Sequence, residues 1–187
     1  MLYVIAAPSG AGKTTIVKKI LEQFPELIFS VSATTRKKRA GEKNGVDYFF
    51  YDKDVFLKMI ANNELIEYEV IFKGDYYGTL RYLVEDCLKK GQSMLFDVDV
   101  KGALAIKKLY KENSVLIFIM PPDNETLKER LKKRATESSE QISERIKRVD
   151  LEIGKAKDFD YIVLNDNLEK AVSEVKDIIL SFINKNN

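Results

Sequence analysis

The run Ala7-Pro8-Ser9-Gly10-Ala11-Gly12-Lys13-Thr14-Thr15 constrains this chain more than any other stretch. Ahead of it lies a short apolar segment, Leu2-Tyr3-Val4-Ile5-Ala6. Behind it, apolar residues fall at helical spacing at Ile16, Val17, Ile20, Leu21 and Phe24. Strand, glycine-containing loop and helix in that order is the setting of a phosphate-binding loop. Backbone N–H groups around Gly10 to Lys13 suit a β-phosphate, and the positive end of the following helix adds to the attraction. In such a loop Lys13 reaches the β- and γ-phosphates, and the Thr14 hydroxyl ligates Mg²⁺. The first position of the G-x-x-x-x-G-K-[ST] pattern is Ala7, which lacks glycine's freedom at positive φ. The loop predicts that a nucleoside triphosphate is bound and leaves open what is done with it. An ordinary strand–turn–helix is the alternative.

Bulk properties narrow the rest. The chain has 187 residues, which fits one domain with inserted segments. Its net charge of +2 supplies no strong attraction to nucleic acid or to a membrane surface. The chain has no histidine, which removes histidine acid–base catalysis and histidine metal sites. Cys87 is the single cysteine, so no intrachain disulfide forms. It lies on a helical stretch at 80–90 and is expected to be a small core residue. The longest apolar run, 115–120, is too short to span a bilayer. Met1 leads straight into the first strand with no leader visible, so the expectation is a cytoplasmic protein.

Apolar strand candidates recur at Leu2–Ala6, 94–98, 115–120 and Tyr161–Leu164, with helical patterns at 14–24, 102–110, 139–156 and Leu168–Ile183. Continuous apolar strands alternating with helices predict a parallel sheet covered on both faces. The last helix is expected to start at Asp166 as cap, with Glu169 three residues on. Two segments break the rhythm. Residues 32–79 are rich in polar, aromatic and glycine residues, with short alternating runs at 46–51 and 65–72, and read as a mixed, partly antiparallel insertion. Residues 123–148 are dense in charge.

Phosphoryl transfer needs positioning and charge neutralisation more than covalent chemistry. Asp97 and Asp99 stand at the end of an apolar strand, where ligand sites of parallel sheets collect. Strand alternation is expected to put both on one face. Arg130 and Arg134 lie four residues apart on one predicted helix, and Arg145 and Arg148 lie on the next. Two such helices joined by a polar loop suit a lid that closes on a triphosphate. A solvated helix face is as good a reading of these charges. Arg36 and Arg39, with Tyr48 nearby, offer a clamp for a second phosphate, since arginine's fork suits bidentate contacts.

The segment Ser32-x-Thr34-Thr35-Arg36-x-x-Arg39-x-Gly41-Glu42-x-x-Gly45-x-Asp47-Tyr48 closely resembles the acceptor-binding segment of guanylate kinases. So do Ile66-Glu67-Tyr68 and Gly74-Asp75-Tyr76-Tyr77-Gly78-Thr79. Asp97-Val98-Asp99-Val100-Lys101-Gly102 and Arg145-Ile146 extend the likeness over essentially the whole chain. The arginine–tyrosine segment is far more specific than the phosphate loop.

The resemblance implies an α/β P-loop NTPase fold with a parallel sheet flanked by helices. The core comprises 1–31, 80–122 and 149–187, the mixed GMP-binding segment 32–79, and the helical lid 123–148. It implies transfer of the γ-phosphoryl group of ATP to GMP or dGMP, with Mg²⁺ on Thr14 and Asp97. Lys13, Arg36, Arg130, Arg134 and Arg145 are the implied catalytic residues. Ala7, Pro8, Ser9, Gly10, Ala11, Gly12, Lys13, Thr14, Thr15, Arg134 and Asn165 are the implied ATP site. Arg36, Arg39, Tyr48 and Tyr77 would hold the GMP phosphate, and Ser32, Glu67, Thr79 and Asp99 would read guanine. Glu67 makes chemical sense there, because a carboxylate accepts from guanine N1–H and the exocyclic amine together, whereas adenine presents an acceptor at N1. The implied partners are ATP and GMP, without nucleic acid or membrane, on a monomer or weak homodimer. Ala7 and Ala135 stand where the family usually has glycine. The rival readings are a kinase for another monophosphate, and a protein-binding module of the same fold that has lost catalysis.

Overall fold

The computed structural model describes residues 1–71, 74–123, 127 and 149–184. Its first strand, β1 (Leu2–Ala6), is buried along its whole length. The loop after it leads into α1 (Lys13–Gln23). Two more buried apolar strands, β7 (Met94–Asp97) and β8 (Ser114–Met120), flank β1 in parallel register. Two-residue β2 (Ile28–Phe29) adds to the outer side of β7, and β9 (Tyr161–Leu164) adds to β8. The resulting five-stranded sheet has the order β2-β7-β1-β8-β9 and every pairing in it is parallel.

Alternation along β1 divides the core in two. Tyr3 and Ile5 pack with Ile16 and Ile20 of α1 and with Val175 and Ile179 of the last helix, α5 (Leu168–Ile183). Leu2, Val4 and Ala6 pack on the other face with Val84 and Cys87 of α3 (Arg81–Lys89) and with Ala103 and Ile106 of α4 (Val100–Tyr110). Helices cover both faces, which is why β1 and β8 carry continuous apolar runs rather than alternating ones. Cys87 is buried, as expected of a small core residue. Edge position changes this for β9: its apolar Tyr161, Ile162 and Leu164 are 37%, 48% and 43% exposed.

The segment that breaks the rhythm forms a second sheet, ordered β4-β3-β6-β5, from β3 (Ala33–Thr34), β4 (Phe49–Phe50), β5 (Leu65–Ile71) and β6 (Asp75–Leu80). It is mixed: β3 runs parallel to β4, and β6 runs antiparallel to both β3 and β5. Helix α2 (Lys53–Ala61), unread in the sequence, closes a small core of Ala33, Phe56, Met59, Leu65 and Leu80.

Two expectations are corrected. The last helix is capped by Asn167, whose side chain accepts from Lys170 N–H at 3.0 Å. Asp166 instead accepts from the Asn167 N–H at 2.7 Å, one residue too early to cap the helix. Likewise β7 ends at Asp97, so strand alternation does not place Asp99. Asp99 is the cap of α4, accepting from Gly102 N–H at 2.7 Å.

Candidate active site

At the carboxyl edge of the parallel sheet, β1 and β7 end side by side with Ile5 opposite Asp97. The loop after β1 turns at once, Ala11 N–H donating to Pro8 C=O at 3.1 Å. Gly10 and Gly12 take φ of 90° and 91°, the left-handed region that glycine enters freely. In the first turn of α1, the Thr15 and Ile16 N–H groups donate to the Gly12 C=O at 3.1 and 3.3 Å, while the N–H groups of Lys13 and Thr14 come before the point where a helix supplies its own acceptors. Lys13 Nζ is ion-paired with Asp97 Oδ1, and Thr14 Oγ1 donates to Asp97 Oδ2 at 3.4 Å. Lysine, hydroxyl and carboxylate therefore meet at one point, where a polyphosphate and its counterion would sit.

Asn165, which follows β9, braces this loop from beneath. It is buried, and its Nδ2 donates to Ala11 C=O at 2.7 Å. A Cβ on Gly12 would lie 2.5 Å from that nitrogen. Gly12→Ala therefore combines a left-handed φ with a clash against a fixed side chain. We expect a cost of about 1–3 kcal/mol in stability, together with loss of nucleotide affinity, as thermal unfolding with and without ATP will report. Ala7 is explained by the same geometry. It is 6% exposed, packs into the core beside Ala11 and Ile16, and is not among the residues at positive φ. Glycine's conformational freedom is not used at this loop entry.

A cavity of about 410 Å³ opens from Lys13, Thr14 and Asp97 toward the second sheet. Its far end is lined by Ser32, Tyr48, Glu67, Tyr77 and Asp99. Glu67 Oε1 accepts from Thr79 Oγ1 at 2.7 Å. Glu67 Oε2 and Asp99 Oδ1 lie so near Gly102 that a Cβ there would come within 3.1 and 3.2 Å of them. The missing side chain is what lets β5 dock its carboxylate against the start of α4. Tyr48 and Tyr77 pack edge to face with centroids 5.8 Å apart. Behind them Arg36 donates from Nε to Tyr77 Oη at 3.2 Å, and its guanidinium stacks 5.2 Å from the Tyr48 ring centroid.

The electrostatics separate the two ends. Burial lowers the Lys13 ammonium to about 8, with the Asp99 and Glu152 carboxylates opposing the fall. Burial raises the Glu67 carboxyl to about 7; the Thr79 hydrogen bond opposes the rise and the Asp99 charge adds to it. Glu67 is thus a carboxyl poised between its two forms near neutral pH. Burial, with nearby Tyr77, also raises the Tyr48 phenol, which stays a neutral donor.

Eight expected residues line the one cavity: Lys13, Thr14, Asp97, Ser32, Tyr48, Glu67, Tyr77 and Asp99. Thr79 is fully buried behind Glu67 and its hydroxyl hydrogen is spent there. Arg36 acts on the tyrosines from outside the cavity wall, and Arg39 is exposed on the loop beside it. Arg130, Arg134, Arg145 and Arg148, with Ala135 between them, lie outside the described residues. The cavity also contains Phe29 and Val98, which sequence reasoning did not assign. Phe29 sits on a two-residue strand with no pattern of its own, and only pairing to β7 puts it there.

A phosphate loop at the carboxyl edge of a parallel sheet, beside β1, places the chain among the P-loop NTPase folds. A family model described as "Guanylate kinase" matches residues 1–182. A guanylate kinase of Chlorobium chlorochromatii is 50% identical over 97% of this chain and 95% of its own length. One of Bacteroides thetaiotaomicron is 46% identical over 98% of this chain and 90% of its own. Among solved structures, a guanylate kinase from Anaplasma phagocytophilum superposes with a TM-score of 0.77 at 34% identity, covering 97% of this chain and 85% of that one. The chain belongs to the guanylate kinase family, whose members are nucleoside monophosphate kinases.

Proposed function

We propose that the protein transfers the γ-phosphoryl group of ATP to GMP, giving ADP and GDP. One observation carries the reading: a single cavity joins Lys13, Thr14 and Asp97 at one end to Ser32, Glu67 and the two tyrosines at the other. ATP takes the loop end, with its β- and γ-phosphates on Lys13 and the α1 N–H groups. GMP takes the other end, its guanine edge on Glu67 and its phosphate beside Tyr48 and Tyr77. A phosphate monoester oxygen is already a competent nucleophile, so the residues need to orient it in line and exclude water rather than deprotonate it. Residues 32–79 act as the acceptor segment, and 123–148 as a lid whose arginines meet the transferring group.

Thr14 Oγ1 and Asp97 supply hard oxygen donors side by side, which suits Mg²⁺. Among the described residues no group of three or more histidine, cysteine, aspartate or glutamate side chains could hold a metal by itself. That is the usual arrangement for this ion, which takes one or two protein ligands and completes its shell with phosphates and water. When bound, Mg²⁺ would neutralise charge on the β- and γ-phosphates. No helix among the described residues is long and apolar enough to cross a membrane, and we place the enzyme in the cytoplasm. Chromatography of products with ATP and Mg²⁺ tests the reaction: ADP and GDP should appear in equal amounts with GMP, and EDTA should stop both. Absence of GDP would remove the reading.

The Glu67 carboxyl sets a pH dependence. Its ionised form accepts from guanine N1–H and the exocyclic amine; its neutral form cannot accept both. Because its value is raised to about 7, the binding form is lost as pH falls through that point. Guanosine, which has no phosphate to titrate, should bind about tenfold more weakly at pH 6 than at pH 8. Calorimetry at the two pH values reads this out, and a flat profile would show that Glu67 is ionised throughout.

A further inference from the structure

The Arg36 guanidinium has five N–H groups, and four are already engaged. Nε donates to Tyr77 Oη at 3.2 Å, and Nη1 to Lys37 C=O at 2.8 Å. Nη1 also donates to Glu42 Oε2 at 3.0 Å, and Nη2 to Glu42 Oε1 at 2.7 Å. Among the described residues, one Nη2 hydrogen meets no acceptor. The rings of Tyr48 and Phe50 hold the guanidinium face, 5.2 and 5.7 Å from its carbon. The same Glu42 carboxylate accepts from the Arg39 backbone N–H at 2.8 Å, so it ties together the loop that carries both arginines. The Arg36 and Glu42 side chains are each less than a fifth exposed, whereas Arg39 is exposed.

We propose that Glu42 is a positioning residue for the acceptor phosphate: it fixes Arg36 as a preset, single-donor contact and leaves Arg39 as the arginine free to close on the phosphate. This rests on the reading that residues 32–79 hold GMP. With two donors locked on a carboxylate, Arg36 cannot grip a phosphate by its fork. It keeps one N–H for the phosphate and holds the hydroxyl of Tyr77, a residue of the cavity wall, by its Nε–H. The arrangement suits an acceptor whose oxygen must stay nucleophilic, because Glu42 already offsets much of the Arg36 charge. It also removes the ordering cost that a long, freely rotating arginine would incur on each binding event. Glu42 is fitted to the task at any working pH, since the Arg36 hydrogen bond, and next the Arg39 N–H, hold its carboxyl down at about 2. The acidic position was visible in the sequence only as one letter of the acceptor segment. Its role appears when both of its oxygens are seen on Arg36.

Glu42→Gln and Glu42→Asp, compared with the unaltered protein by calorimetry and steady-state kinetics, test the assignment. Losing a charge-assisted pair of bonds should weaken GMP binding roughly tenfold to a hundredfold in Glu42→Gln, and less in Glu42→Asp, which keeps the charge. Guanosine, which does not use the phosphate contacts, should bind both variants as it binds the unaltered protein, and KM for ATP should not move. Equal losses for guanosine and GMP in both variants would make Glu42 a general support of the loop and overturn the proposal. Unchanged or tighter GMP binding would also overturn it, showing that Glu42 competes with the phosphate for Arg36. If the unaltered protein binds no GMP, the functional reading itself fails, which is a separate outcome.

Discussion

Lys13→Ala should lower kcat by about 10³-fold or more, because it removes a fixed cation from the phosphates whose charge shifts during transfer. Lys13 sits where β1 and β7 end together, ion-paired with Asp97 in the resting site. Burial lowers its ammonium to about 8, which leaves it largely charged at neutral pH. Without the lysine, Asp97 keeps the Thr14 hydroxyl and is 17% exposed, so water can reach it. The variant should therefore fold, and its guanosine affinity should match that of the unaltered protein, because the base end of the cavity is untouched. Steady-state kinetics with thermal unfolding as control reads both. A near-normal kcat would show that this loop does not act on the transferring phosphate.

Glu67→Gln should lower kcat/KM for GMP by about 10³-fold while leaving KM for ATP unchanged. The amide keeps the size of the side chain and can still accept from Thr79, which now bonds Oε1 at 2.7 Å. It offers guanine one acceptor and one opposed donor in place of two acceptors. Sites that leave a buried polar group mispaired reject their ligand by factors near 10⁴, and the retained acceptor trims that figure. The preference for GMP over AMP should collapse with it. An unchanged KM for GMP would take Glu67 out of the base end of the cavity.

These two residues were open to sequence reasoning for different reasons. Lys13 belongs to a local pattern of strand, loop and helix, and β1 and β9 are found where their apolar runs predict them. Glu67 is an ordinary strand carboxylate by itself, and only the resemblance of the surrounding segment singled it out. The misses share a cause, since each depends on contacts between distant parts of the chain. The two-residue strands β2, β3 and β4 are defined by pairing and not by periodicity. Asp99 reads as strand because the apolar run before it continues, but β7 ends at Asp97 and Asp99 caps α4. Asn165, implied for the ATP site, bonds Ala11 of the loop across 154 positions of sequence, a contact that no local pattern shows. Glu42 is one acidic letter of the acceptor segment in the sequence, because a bidentate pair with Arg36 leaves no mark on spacing.

A crystal structure with GMP soaked in tests the central claim most directly, since it locates base and phosphate at once. The account predicts guanine N1 and the exocyclic amine within about 3.2 Å of Glu67, and the phosphate at the Tyr48 and Tyr77 hydroxyls, pointing toward Lys13. GMP found with its phosphate on the Gly10–Thr14 loop and its base away from Glu67 would contradict the account.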